Sequence, residues 1–184
     1  MAKKVVILNG SPRPKGNTEI LCEAFEAGAK KAGCEVQVFN LEKMKIAGCV
    51  GCMKGGKDRS SPCVIKDDMD KIYPAYEEAD IVVLATPMYY WSFSGQLKTA
   101  FDRLFAVAEC NPDYANPVKK CVLIMPAEGD SADNWKPAID YYRSLIGFLK
   151  WENLGEILAG GVLEDGAVAG KPAVEEARKL GESL

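Results

Sequence analysis

The chain has 184 residues, 48% of them hydrophobic and 27% charged, with a formal net charge of −3. That length suits one domain spanning 1–184 with a full core, and neither a basic cluster nor an apolar run near the roughly 20 residues of a bilayer span is present, so nucleic acid and membranes are not expected partners. Histidine is absent, which removes Ser-His and Cys-His nucleophiles, His-ligated metals and any imidazole proton shuttle, and seven unevenly spaced cysteines do not read as a secreted disulfide framework.

Residues 1–4 lead directly into an apolar run, Val5-Val6-Ile7-Leu8, too short for a signal peptide, so a cytoplasmic protein is expected. That run predicts a buried strand. Ile20, Leu21, Ala24, Phe25 and Ala32 share one face of a predicted helix over 19–32, and Gly28 on that face would let the helix pack closely on the sheet. A short strand follows at 35–39. The stretch 46–66 is irregular and longer than a usual connection, which marks it as a functional candidate. A helix over 68–78 is capped by Asp67 or Asp68, and Ile81-Val82-Val83-Leu84-Ala85 reads as a buried parallel strand. A helix over 94–108, a strand over 119–125, a helix over 135–151, a strand over 156–162 and a helix over 171–180 with Pro172 in its first turn complete the pattern. Regular strand–helix alternation implies an α/β fold, a doubly wound five-stranded parallel sheet with helices on both faces.

Two turns carry the chemistry. Gly10-Ser11-Pro12-Arg13-Pro14-Lys15-Gly16-Asn17-Thr18 links the first strand to the first helix. Backbone N–H groups, the helix dipole, the hydroxyls of Ser11 and Thr18, the Asn17 amide and the Arg13 cation make an anion cradle there. The turn lacks both the Gly-Lys-Ser/Thr ending of a P-loop and the G-x-G-x-x-G of a dinucleotide site. In the flavodoxin strand order, 2-1-3-4-5, the ligand at the switch point is FMN, between the first and third strands. The turn after the third strand, Thr86-Pro87-Met88-Tyr89-Tyr90-Trp91-Ser92, offers apolar and aromatic surface that a flat isoalloxazine would cover. Taken singly, the first turn also fits a plain capped βα connection, and the aromatics also fit core or a dimer surface. Their placement after strands one and three favours one shared ligand.

At these turns the chain resembles the NADPH-dependent FMN reductase family of flavodoxin-like proteins. The likeness rests on Asn9-Gly10-Ser11-Pro12-Arg13 with Gly16-Asn17-Thr18, and on Thr86-Pro87-Met88-Tyr89-Tyr90, Ser94-Gly95-Gln96-Leu97-Lys98 and Phe101-Asp102-Arg103. The resemblance implies FMN as cofactor, hydride from NADH or NADPH, onward reduction of a quinone, a nitro- or azo-aromatic or a flavin, and a homodimer or homotetramer. By the same resemblance Ser11, Arg13, Asn17 and Thr18 bind the phosphate, and Pro87, Met88, Tyr89, Tyr90 and Trp91 meet the ring and ribityl chain. Ala127, Glu128 and Gly129 flank the ring from the other side. No side chain is singled out as catalytic, because the cofactor supplies the chemistry. Within the family, Cys49-Val50-Gly51-Cys52 followed by Cys63 looks like the cysteine loop of iron–sulfur flavoproteins. Gly55 stands where a third cysteine is expected, so the loop brings three thiols to a site that needs four, and Cys110 completes a set only if the fold brings it close. The expectation is a loop without metal that shapes the pocket or a subunit contact, with a redox-active Cys49–Cys52 pair or an iron–sulfur or flavodoxin-type electron carrier as alternatives.

Overall fold

In the computed structural model, which describes residues 2–184, five parallel strands form one sheet in the order β2-β1-β3-β4-β5. In chain order these are β1 (Lys4–Asn9), β2 (Glu35–Asn40), β3 (Ile81–Ala85), β4 (Lys120–Pro126) and β5 (Glu152–Ala159). The helices are α1 (Asn17–Lys31), α2 (Met69–Glu78), α3 (Gly95–Arg103), α4 (Phe105–Ala108), α5 (Ala132–Phe148) and α6 (Pro172–Glu182). The 2-1-3-4-5 order matches the expectation from sequence.

The pleat divides each central strand between two cores. Val6, Leu8, Val82, Leu84, Cys121 and Leu123 face the layer of α2, α3 and α5. Val5, Ile7, Ile81, Val83, Val122 and Ile124 face α1 and α6. Burial on both faces is why β1, β3 and β4 are uninterrupted apolar runs rather than alternating ones.

Gly28 serves a different neighbour from the one expected. A Cβ there would overlap the Arg178 carbonyl oxygen, and one on Gly181 would overlap that of Phe25. The pair lets the backbones of α1 and α6 touch; the close approach is helix to helix, not helix to sheet.

Several boundaries differ from the sequence reading, three of them for a clear physical reason. The helix predicted over 94–108 divides at Leu104, where i→i+3 bonds from Leu104 N–H to Phe101 and from Val107 N–H to Leu104 tighten the chain. The helix placed at 135–151 begins at Ala132, because the Ser131 hydroxyl caps it by accepting from Asn134 N–H at 3.2 Å. The last strand starts at Glu152 rather than 156 and ends at Ala159. It is an edge strand, and its polar residues Glu152, Asn153 and Glu156 conceal it from a search for apolar runs. Among the described residues, no helix is long and apolar enough to cross a membrane.

Candidate functional site: a cleft at the carboxyl ends of the strands

The cradle is built from the end of β1. Gly10 N–H extends the sheet by donating to Ala85 O at 2.8 Å. A Cβ on Gly10 would lie 2.7 Å from both Leu97 Cβ and Ser94 Oγ, so glycine lets the start of α3 rest on the turn. Ser94 then does two jobs: its hydroxyl donates to Gly10 O at 2.7 Å and accepts from Leu97 N–H at 3.3 Å, capping α3 and pinning the cradle. Asn9 Oδ1 accepts from Ser11 N–H at 3.0 Å, and Ser11 Oγ accepts from Arg13 N–H at 3.2 Å. Lys15 takes a left-handed φ of 57° to turn the chain into α1.

The mouth of α1 is open to an anion. Its N-cap, Gly16, has no side chain to cap with, and helical bonding begins with Ile20 N–H to Gly16 O at 3.2 Å. The N–H groups of Asn17 and Thr18 therefore lack carbonyl partners, at the positive end of a 15-residue helix. Thr18 is 1% exposed and lies on the cleft wall.

Asn17 and Arg13 are turned to a different task. The Asn17 amide donates to Glu164 O at 2.9 Å, and its Oδ1 accepts from Val168 N–H at 3.0 Å. Arg13 Nη1 donates to Leu163 O at 2.9 Å and lies 3.3 Å from Asp165 Oδ1. These bonds fold the loop after β5 over the cradle, so Val162 and Leu163 line the cleft. The sequence reading missed both. Their only signal was a polar residue, Asn17, at a helix start that buries it. The Arg13–Asp165 pair is exposed on both sides and therefore weak.

The other end of the cleft is the turn after β3. Thr86 N–H donates to Ile124 O and Met88 N–H to Pro126 O, fastening this turn to the end of β4. Tyr89 and Ser92 exchange N–H···O bonds at 3.1 and 3.0 Å, closing a two-residue hairpin with Tyr90 (φ 47°) and Trp91 (φ 59°) at its tip. Both tip residues sit in the left-handed region where such turns usually carry Asn-Gly, a strain of order 1 kcal/mol each. Tyr90 is 96% exposed, so packing does not offset its strain. Tyr90→Asn is expected to leave folding stability unchanged or raise it by up to roughly 1 kcal/mol in urea unfolding. A loss of more than about 0.5 kcal/mol would show that the exposed ring stabilises the fold.

The two ends join. A cavity of about 220 Å³ is lined by Ser11, Arg13, Asn17, Thr18, Pro87 and Tyr89, and a neighbouring one of about 250 Å³ by Tyr90, Trp91, Gly129 and Asn134. Met88, Ala127 and Glu128 wall both, which makes them one elongated cleft. Every cleft residue expected from sequence lies on its surface. A larger recess of about 380 Å³, lined by Lys4 and Glu35, lies at the opposite end of the sheet, away from the switch-point crevice.

The irregular 46–66 stretch is held from α3. The side chain of Arg103 is fully buried; it donates to Ala47 O (2.8 Å), Ile65 O (3.0 Å) and both oxygens of Asp67 (2.8 and 3.2 Å). Asp67 also accepts from Ala47 N–H and Met69 N–H. Burial pushes the Asp67 carboxyl up, but the Arg103 hydrogen bond and these N–H groups outweigh it and hold the group below its usual range. Cys49, Cys52 and Cys63 line one void of about 30 Å³; Glu109 is among its walls and Cys110 is not. All seven cysteines are free thiols.

The family described as NADPH-dependent FMN reductase matches residues 3–140. An iron-sulfur flavoprotein of Archaeoglobus fulgidus is 38% identical over 101 residues, 55% of this chain and 45% of the relative. An iron-sulfur flavoprotein of Methanosarcina thermophila is 28% identical over 174 residues, 94% of this chain and 85% of the relative. In the matches at 37–39% identity, the chain spans about half the length of the curated relatives. An NAD(P)H:quinone oxidoreductase from Methanothermobacter marburgensis superposes with a TM-score of 0.75 at 20% identity, over 100% of this chain and 96% of that one, a likeness of fold. With three quarters of its length inside the family match, the chain belongs to the NADPH-dependent FMN reductase family.

Proposed function

We propose that the cleft holds one FMN and that the protein is an oxidoreductase working between NADH or NADPH and a small acceptor, such as a quinone, a nitro- or azo-aromatic or a free flavin. The observation that carries this is the continuity of the cleft, from the open mouth of α1 past Met88, Ala127 and Glu128 to the Tyr90–Trp91 turn. The donor set fits a flavin phosphate: the hydroxyl residues Thr18 and Ser11 on the cleft wall and two free N–H groups at a helix N-terminus. FMN bound there would supply the hydride-accepting and hydride-donating chemistry.

The chain's own residues position and shield. Pro87 and Met88, tied to β4 through Met88 N–H, form a rigid wall. The loop after β5, held by Asn17, closes the phosphate end against water. Tyr90 and Trp91 project at the open end, where a flat nicotinamide or acceptor would meet aromatic surface. With no histidine in the chain, no imidazole can shuttle protons.

The test is anaerobic addition of NADPH or NADH to FMN-loaded protein. Bleaching of the visible flavin band, and continued nicotinamide oxidation when a quinone is supplied, are the expected results. A flavin band that survives both nicotinamides would overturn the reductase reading. Failure to take up FMN at all would overturn the reading of the cleft.

A further inference from the structure

Relatives named iron-sulfur flavoproteins raise the question of whether the cysteine loop holds a cluster. We propose that in this chain it does not, because the Glu109 carboxylate fills the place of the missing third thiolate, so that no cluster carries electrons away from the flavin site. The proposal goes beyond the assigned cleft and concerns a separate part of the molecule.

A [4Fe–4S] cluster is held by four thiolates. The loop offers Cys49, Cys52 and Cys63, with Gly55 at the remaining place by resemblance. A Cβ built on Gly55 would overlap Glu109 Oε2 and lie 2.9 Å from Pro62 O. Gly55 N–H also donates to Glu109 Oε1, at 3.3 Å. The carboxylate thus occupies the direction a side chain at 55 would take. The adjacent backbone is equally fixed. Gly56 sits at φ 75°, donates to Pro62 O at 2.9 Å, and has the Glu109 main-chain carbonyl where a Cβ would go.

The surrounding walls are tied down as well. Arg59 bridges from the loop to Glu77 at 2.6 Å and to Asn111 Oδ1 at 2.8 Å. Arg103 clamps the loop at Ala47 and Ile65. The void among the three cysteines, about 30 Å³, is room for roughly two waters. Among the described residues, no three Cys, Asp or Glu side chains converge closely enough to hold even one metal ion.

The experiment is anaerobic reconstitution of the FMN-loaded protein with ferrous iron and sulfide, followed by iron and sulfide analysis and a visible spectrum. The unaltered chain is expected to bind no stoichiometric iron and to show flavin absorption alone. The double variant Gly55→Cys/Glu109→Ala, in which the Pro62 carbonyl must also draw back from its 2.9 Å approach to the new Cβ, is expected to gain about four irons and four sulfides per chain, with a broad brown absorption over the flavin bands. About four irons on the unaltered chain would overturn the proposal without recourse to any variant. A double variant that still binds FMN but stays iron-free would overturn the assignment to Glu109. Iron content is read independently of flavin reduction. A protein that is both iron-loaded and reducible by NADPH therefore defeats only this inference, and an iron-free protein that does not bind FMN defeats only the proposed function.

Discussion

Arg103→Met is expected to destabilise the protein by about 3–5 kcal/mol, the range for removing one partner of a buried ion pair. The Arg103 side chain is fully buried and that of Asp67 is 12% exposed, so neither finds water as a substitute partner. Burial works against the Arg103 cation, but its bond to Asp67 raises its pKa overall, so it stays charged. Methionine fills much of the same volume, so the loss reports on the bonds rather than on a void. Four of these bonds reach 36 to 56 residues back along the chain, so their removal should also free the 46–66 loop from α3. Urea unfolding gives the first quantity, and faster limited proteolysis within 46–66 the second. A loss below about 1 kcal/mol would show that the clamp is dispensable. The pair also fixes an acid response. The Asp67 carboxyl is held below its unfolded value, so its contribution is complete above the ordinary aspartate range near 3.9 and is lost as pH falls through the lower folded value. Asp67→Asn should flatten that part of the acid-unfolding profile.

Arg103 marks the limit of what could be read in the sequence. Phe101-Asp102-Arg103 stood out as part of a family resemblance, yet nothing local shows that the arginine turns inward to grip a distant loop. The strands β1, β3 and β4 were legible because burial on both faces writes continuous apolar runs. Strand β5 was misplaced by about four residues because its outer edge is solvated and carries charges. The two turns of the cleft were legible for a different reason: each packs turn-forming or aromatic residues where helix or strand periodicity stops. The loop after β5 had no such mark. Val162 and Leu163 reach the cleft through main-chain bonds to Asn17 and Arg13, and main-chain acceptors leave no trace in sequence. The thiol loop was read for its cysteines, but its character is set by Glu109, which belongs to no motif.

Thr18→Val is expected to raise the FMN dissociation constant about 10- to 150-fold, the equivalent of losing one hydrogen bond to a charged phosphate at about 1.5–3 kcal/mol. The substitution keeps the shape of the side chain and removes only the hydroxyl. With Thr18 on the cleft wall, the stability of the flavin-free fold should move by less than about 0.5 kcal/mol. Ser11→Ala should behave differently, because Ser11 Oγ accepts from Arg13 N–H at 3.2 Å and so also shapes the empty cradle. It should lower both FMN affinity and the stability of the flavin-free protein. Fluorescence titration with FMN and urea unfolding of the flavin-free protein, run on both variants, separate the two roles. Unchanged FMN affinity in Thr18→Val would place the phosphate away from the mouth of α1. Lost affinity with an unchanged flavin-free fold would assign the hydroxyl to the ligand rather than to the fold.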